Sequence, residues 1–247
     1  MKRKLVTECG SGVSGNMPSE SKRISSTAEE ISNRLFSLGN SNTEGIRTIR
    51  REYSKQLAKS PARFVVKVAL HLLKKETIAH RFVSYELVNK HPQALASLSE
   101  RDIRQFGKGI DSWGSVDMFG CYLAGPAWRE HQLSEGLVHS WARSKDRWWR
   151  RAALVSTVPL NNKARGGNGD TRRTLGVCDL LVDDRDDMVV KAVSWALREL
   201  AKRDADAVRE FLNMNREHLA ARVIREVDNK LSTGLKNPRA TKASTGH

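Results

Sequence analysis

The sequence predicts an all-α fold built from stacked helix pairs. Apolar residues recur at helical spacing, and no alternating run of β-branched residues is long enough to predict a strand. A similar triplet recurs in three apolar segments: Lys67-Val68-Ala69, Arg151-Ala152-Ala153 and Lys191-Ala192-Val193. The intervals of 84 and 40 residues fit a unit of about 41 to 42 residues if one copy lies between the first two. This spacing favours a HEAT-like helical-repeat solenoid with a concave face over chance similarity between helices.

Basic residues dominate the charge of the chain. Lysine and arginine number 43 and aspartate and glutamate 28, so the net charge is +15 and we expect the concave face to be basic. A charge of this sign and size indicates a partner rich in phosphate, either a nucleic acid or an anionic membrane surface. No run approaches the roughly 20 apolar residues of a spanning helix, so a membrane is not the expected partner.

The start of the chain and its cysteines predict an intracellular protein. Met1-Lys2-Arg3-Lys4 is followed by polar residues rather than by the apolar segment of a secretory signal. Three scattered cysteines are too few for a disulfide framework, which indicates a reducing compartment. We expect a cytoplasmic, nucleoid-associated protein if the source is bacterial. No pair of histidines has metal-ligand spacing near a cysteine, so no metal site is predicted. No cofactor is expected either.

The apolar pattern predicts one domain between two tails. Residues 1–24 and 236–247 lack apolar periodicity and are predicted to be disordered, and residues 25–235 form the HEAT-like α-helical repeat domain. One long glycine-rich loop is predicted at 159–173. We expect the basic residues of this loop on the concave side: Lys163, Arg165, Arg172 and Arg173.

Capping residues predict where several helices of this domain begin. Ser60-Pro61 begins one helix, with Ser60 as the N-cap and the proline in the first turn. Either Asp186 or Asp187 caps another helix, whose apolar residues recur up to position 200. Asp204 and Asn215 are expected to cap two more.

The first candidate site motif is Asp111-Ser112-Trp113-Gly114-Ser115-Val116-Asp117. On a helix Trp113 and Asp117 are one turn apart, so the indole and the carboxylate share a face. Taken alone, this pattern favours a core tryptophan and a solvated or capping aspartate.

The second motif is Arg147-Trp148-Trp149-Arg150-Arg151, in which Trp148 and Arg151 share a helix face. Three arginines and two tryptophans in five residues cannot all be buried. The alternatives are a cation–π cluster on the surface and a phosphate contact, because arginine can bond phosphate with two parallel donors. Because the chain has a net charge of +15, DNA contact by this cluster, including Trp148, is at least as plausible as a cation–π cluster on the surface.

The third motif is Lys191-Ala192-Val193-Ser194-Trp195-Ala196-Leu197-Arg198-Glu199, which again places Trp195 and Arg198 on one helix face. Composition alone favours a buried tryptophan with the arginine extended beside it.

In order and spacing, the three motifs resemble the DNA alkylation repair family of AlkD-like, HEAT-repeat DNA glycosylases. The resemblance covers roughly residues 40 to 232 and is strongest from 111 to 200. Gly114 departs from it, since an acidic residue is common there in the family, and the loop at 159–173 is longer than usual. The residues that match the family's concave DNA-binding face are Trp113, Asp117, Arg151, Trp195 and Arg198.

The resemblance implies a monofunctional glycosylase that removes positively charged alkylated purines, of the 3-methyladenine and 7-methylguanine type. Asp117 would stabilise the oxocarbenium-like sugar, and Trp113 and Trp195 would hold the sugar and the cationic base. Arg151 and Arg198 would contact the flanking phosphates. The implied partner is double-stranded DNA containing alkylated bases, and we expect a monomer without a cofactor.

Two other functions stay open on the sequence. One is a non-catalytic repeat protein that binds damaged or branched DNA, for which a carboxylate facing phosphate would lower the affinity. The other is a protein-binding scaffold whose charge meets acidic partners, for which DNA affinity would not depend strongly on salt.

Overall fold

The protein is described by a computed structural model that covers residues 19–38 and 42–238. Within these ranges it contains α-helices, short 3₁₀ and π segments and no strand, so the predicted all-α fold is confirmed. The α-helices, in chain order, are α1 Glu20–Ser37, α2 Thr43–Gln56, α3 Ala62–Leu72, α4 Ile78–Asn89, α5 Pro92–Ala96, α6 Glu100–Phe106, α7 Trp113–Phe119, α8 Gly125–Arg129, α9 Glu135–Ala142, α10 Arg147–Asn161, α11 Thr171–Asp179, α12 Asp187–Leu200, α13 Ala205–Met214 and α14 Ala221–Thr233.

The helices pack in two rows, as expected for a helical-repeat fold. The first row contains α2, α4, α7, α10, α12 and α14, and each of these helices contacts the next one along the row. The second row lies against it, with α3 on α4, α9 on α10 and α11 on both α10 and α12. The apolar faces of these helices are therefore buried between the two rows and between neighbours in a row.

The predicted repeat length is wrong. Consecutive first-row helices begin 35, 35, 34, 40 and 34 residues apart, so most units are shorter than 41 to 42 residues. The triplet at Lys67 lies in α3 of the second row, whereas those at Arg151 and Lys191 lie in α10 and α12 of the first row. The 84-residue interval thus joins positions that are not equivalent. The one long unit contains the glycine-rich loop between α10 and α11.

The first helix corrects the predicted boundary of the amino-terminal tail. Ser19 caps α1, its side chain accepting a hydrogen bond from the Lys22 N–H, and the helix begins at Glu20 rather than after residue 24. Ile24, Ile31 and other apolar residues of α1 are buried in the core, which is why the segment folds. The rest of that predicted tail, residues 1–18, lies outside the described residues. So do residues 239–247 of the carboxy-terminal one.

Two of the predicted caps are confirmed and two are corrected. Asp186 caps α12 and Asp204 caps α13, each through a side-chain oxygen that accepts a backbone N–H. The third helix begins at Ala62 with Pro61, not Ser60, at the N-cap position and without a side-chain cap. Asn215 ends α13 instead of beginning α14, whose N-cap is Ala220.

The six tryptophans all lie between residues 113 and 195, and five of them pack in or against the core. Trp128 and Trp141 are buried, and Trp149 packs edge-on to Phe119, with their ring centroids 5.9 Å apart.

Among residues 19–38 and 42–238, no helix has both the length and the apolar character needed to cross a bilayer.

Candidate functional site

The start of α7 fixes the two residues of the first motif. Ser112 and Ser115 form a capping box: the Ser115 backbone N–H donates to the Ser112 hydroxyl, and the Ser112 N–H donates to the Ser115 hydroxyl. The helix therefore begins at Trp113, where the indole is 65% exposed. Asp117 follows one turn later on the same face.

Trp113 and Asp117 line an open groove with a volume of about 310 Å³. The groove lies where α4, α7, the π segment Gly120–Ala124, α12 and the glycine-rich loop meet. Its lining residues are Ile78, Trp113, Gly114, Asp117, Met118, Cys121, Tyr122, Arg165 and Trp195. The structure thus brings three of the predicted site residues, Trp113, Asp117 and Trp195, into one groove, while their roles stay predictions.

Behind the groove, Asp117 is held by Arg151. The guanidinium donates from Nε to Oδ1 and from Nη2 to Oδ2, both at 2.9 Å, and its Nη1 donates to the Met188 carbonyl oxygen at 2.6 Å. Arg151 is only 6% exposed. Its burial and its three engaged nitrogens argue against the predicted phosphate contact. Arg151 orients a carboxylate instead.

This pair leaves Asp117 able to act in the groove. Burial raises the pKa of the Asp117 carboxyl, and the hydrogen bonds and charge of Arg151 oppose that rise. Each carboxylate oxygen has two lone-pair directions, and Arg151 occupies one on each oxygen. The remaining directions can face a positive charge or a water molecule in the groove.

Two glycines allow α10 to approach the α7–α8 run closely enough for this pair. A Cβ on Gly120 would lie 2.7 Å from Cγ1 of Val155, and one on Gly125 would lie 2.6 Å from Cγ of Pro159. Both distances are too short for ordinary contact, so larger residues would push the helices apart. Nothing in the local sequence distinguishes these glycines from others in the chain.

Arg198 does not line the groove. Its Nε donates to the Ser194 hydroxyl at 3.1 Å and lies 4.0 Å from a carboxylate oxygen of Glu226 on α14. Burial lowers the pKa of Arg198, and the two nearby glutamates, Glu226 and Glu199, oppose the fall. The position of this side chain, directed to α14, argues against its predicted contact with a flanking phosphate.

Trp148 also lies outside the groove lining. Its ring is half-buried against the core, and the Arg147 guanidinium carbon lies 4.8 Å from the ring centroid. This is the cation–π cluster that the sequence left as an alternative. A direct contact between Trp148 and a nucleotide in this groove is not supported.

The glycine-rich loop is shorter than predicted, because α10 continues through Pro159 to Asn161 and α11 begins at Thr171. The basic residues of the predicted loop divide into two kinds, and two of them, Arg172 and Arg173, lie in the first turn of α11. Arg172 pairs with Glu135, and the buried Arg173 bonds Asp170 and the Trp128 carbonyl, so neither is available on the groove side. Arg165 lines the groove.

The apolar wall of the groove was not predictable from the sequence. Ile78 is 56% exposed at the start of α4, and Met118 and Tyr122 follow Asp117 on the same helical run. Cys121 is buried at the bottom, and burial raises the pKa of its thiol to about 12. No periodicity distinguishes these residues from core residues.

Among residues 19–38 and 42–238, no group of three or more His, Cys, Asp or Glu side chains could hold a metal ion.

Comparison with known proteins gives one match. A family model described as "DNA alkylation repair enzyme" matches residues 26–231, a range that contains every lining residue of the groove. No curated protein and no solved structure matches the chain.

Proposed function

The chain belongs to the DNA alkylation repair enzyme family, and from this we propose that it is a monofunctional DNA glycosylase. Its substrates are positively charged alkylated purines in duplex DNA, of the 3-methyladenine and 7-methylguanine type. The observation that carries the proposal is Asp117, a carboxylate held by Arg151 at the side of a groove that two indoles also line.

The chemistry needs little from the protein at the base. Alkylation at N3 of adenine or N7 of guanine leaves the base cationic, so it departs as a neutral molecule without a strong general acid. The carbon–nitrogen bond breaks as positive charge develops on the deoxyribose, as in sugar hydrolysis. Water then adds to this carbon and loses a proton, which completes the hydrolysis.

Asp117 supplies the negative charge opposite that sugar. A carboxylate fixed in advance stabilises the developing cation more than a mobile one, because it needs no reorganisation when the charge appears. Arg151 fixes it with two hydrogen bonds from one planar group. The free lone pairs of Asp117 can also orient the attacking water.

The two indoles provide the affinity for a cation. Trp113 on α7 and Trp195 on α12 both line the groove that contains Asp117. An aromatic face attracts a cationic base and contacts the sugar. No lysine is among the lining residues, so strand cleavage through a Schiff base is not part of the proposal.

A non-catalytic DNA-binding protein is the second candidate, and position 114 favours it. An acidic residue is common at this position in the family that the motifs resemble, but here Gly114 lines the groove with nothing within 4 Å of a Cβ. Asp117 is therefore the one carboxylate among the lining residues. The absence of a second carboxylate would impair catalysis more than it would impair DNA binding.

The deciding experiment is a base-release assay. Duplex DNA containing one 7-methylguanine is incubated with the wild-type protein and with Asp117→Asn, under single-turnover conditions. The proposal expects release by the wild type and a large loss in the variant. Binding of the duplex without release of base by the wild type would favour the binding protein. If the wild type does not bind the duplex at any salt concentration, both candidate functions are contradicted.

A further inference from the structure

The glycine-rich loop between α10 and α11 is hydrogen-bonded to the end of α10. The Gly169 N–H donates to the Leu160 carbonyl at 3.0 Å. Arg203 donates from Nη2 to the Gly167 carbonyl at 3.2 Å and from Nε to the Asn161 carbonyl at 2.8 Å, which joins the loop to the last residue of α10. A Cβ on Gly167 would lie 2.3 Å from the Pro159 carbonyl oxygen, so only glycine fits there. The loop backbone is thereby pinned to the end of α10.

This loop presents Arg165 to the groove. The Arg165 N–H donates to the Asn162 carbonyl at 3.0 Å, and its own carbonyl accepts a hydrogen bond from Arg129. The guanidinium carbon lies 5.2 Å from the centroid of the Tyr122 ring. Both Arg165 and Tyr122 line the groove beside Asp117.

Arg165 differs from the neighbouring arginines in its partners. Arg129, Arg150, Arg151 and Arg173 each form an ion pair with a carboxylate. Within residues 19–38 and 42–238, Arg165 has no carboxylate oxygen within 4.0 Å, and its side chain makes one long hydrogen bond, 3.5 Å from Nη1 to the Cys121 carbonyl. Most of its five N–H donors are therefore free.

We propose that Arg165 binds a backbone phosphate next to the nucleotide in the groove, an inference that rests on the proposed function. A guanidinium has a planar edge whose two parallel N–H donors match two phosphate oxygens, and the donors of Arg165 are mostly free for such a contact. A cationic base would be repelled by Arg165, so the group that meets it is the anionic backbone. Arg165 is the one positively charged residue among those that line the groove, and the one lining carboxylate, Asp117, is already paired with Arg151.

The test compares Arg165→Ala with Arg172→Ala, a matched control. Both changes remove one arginine, but Arg172 lies in the first turn of α11, is exposed and pairs with Glu135 instead of lining the groove. Fluorescence anisotropy measures the affinity for an undamaged duplex over a range of salt concentrations. Arg165→Ala should lower the affinity about 10-fold and reduce the slope of log affinity against log salt by about 0.9. Arg172→Ala should change both by much less.

A neutral phosphate locates the contact. A duplex with a 7-methylguanine analogue that resists hydrolysis carries a methylphosphonate at one backbone position at a time near the lesion. At one position, the methylphosphonate should lower the DNA affinity of the wild type and of Arg172→Ala. The same methylphosphonate should not lower the affinity of Arg165→Ala any further. Arg165→Lys should restore the salt slope and only part of the affinity, and melting curves check that each variant is folded.

The outcomes separate this proposal from the proposed function. If Arg165→Ala and Arg172→Ala are equally weak, or if no methylphosphonate position interacts with Arg165, the phosphate contact is overturned while base release by the wild type stands. If the wild type releases no base but these measurements match the expectation, the contact belongs to a binding protein. If the wild type shows no salt-dependent DNA affinity, both proposals fall.

Discussion

The Arg151 guanidinium binds the Asp117 carboxylate through two parallel hydrogen bonds of 2.9 Å, Nε to Oδ1 and Nη2 to Oδ2. A third bond, to the Met188 carbonyl, ties the same group to the first residues of α12. Trp195, on α12, lines the groove that Asp117 enters from α7. One buried arginine thus fixes the carboxylate relative to both helices that carry the indoles.

Asp117→Asn keeps the shape of the side chain and removes its charge. If Asp117 stabilises the sugar cation, base release should slow by about 100-fold or more, by analogy with the loss of one preorganised electrostatic group. DNA affinity should hold or rise, since a charge that repels phosphate is gone. Single-turnover release from a 7-methylguanine duplex and anisotropy measure the two effects. Unchanged release per folded molecule, with a lower melting temperature, would make Asp117 a structural residue.

Arg151→Ala should act through Asp117 rather than through DNA. The change leaves a partly buried carboxylate without its partner, which should lower the free energy of unfolding by about 3 kcal/mol. Base release should fall, while the salt dependence of DNA affinity stays as in the wild type. Arg150→Ala is the control, because Arg150 pairs with Asp184 and does not contact Asp117. A reduced salt slope in Arg151→Ala alone would restore the phosphate contact that the burial of Arg151 argues against.

The pH profile of base release should report Asp117. Release needs the carboxylate, so the rate falls as pH falls through its pKa, and burial places this limb above the ordinary value of 3.8. Arg151 favours the charged form, so Arg151→Ala should move the limb to still higher pH. Asp117→Asn should abolish it. Rates with the uncatalysed background subtracted, measured between pH 4 and 8, give the profile; one limb shared by all three proteins would assign it to another group.

Trp113→Ala should reduce base release by about 10-fold, as expected for the loss of one cation–π contact. Because the indole is 65% exposed, the melting temperature should change little. Trp148→Ala is matched in size, lies outside the groove and packs against the core. It should lower stability and leave the rate per folded molecule unchanged. Equal losses of rate in the two variants would contradict the assignment of the groove.

Gly167→Ala should destabilise the protein by about 2 kcal/mol or more, because the added Cβ has no space against the Pro159 carbonyl. Gly136→Ala in α9 is the control, since nothing lies within 4 Å of its Cβ and alanine favours a helix. Thermal or denaturant unfolding compares the two. If Gly167→Ala also lowers DNA affinity at temperatures where it is folded, the loop positions a DNA contact.

The sequence predicted what depends on short-range spacing. Helical periodicity gave the all-α fold, and aspartates with strong capping preference located the starts of α12 and α13. The pair Trp113 and Asp117 was found because residues one turn apart share a helix face. The repeat length failed because similar triplets occur in helices of both rows, so likeness in sequence did not mark equivalence in structure.

What the sequence could not give depends on contacts between distant segments. Arg151 lies 34 positions from Asp117, and nothing local distinguishes an arginine that meets a carboxylate from one that meets phosphate. The same holds for Arg198, which turns to α14 and Glu226. Arg165 stood among four basic loop residues, and only the packing of the loop separated it from Arg172 and Arg173.

The three bonds of Arg151 also bear on how the array unfolds. In a stack of helical units, each unit is stabilised mainly by its neighbours, so the ends can open independently. Arg151 connects three consecutive first-row helices, α7, α10 and α12, and these should open as one cooperative unit. Backbone amides of α13 and α14 should then exchange hydrogen first, and those around the groove only upon global unfolding. DNA with a lesion bound against Asp117 would slow exchange of the amides around the groove and leave exchange in α13 and α14 unchanged. Binding of a repair substrate could therefore be recognised from the exchange rates.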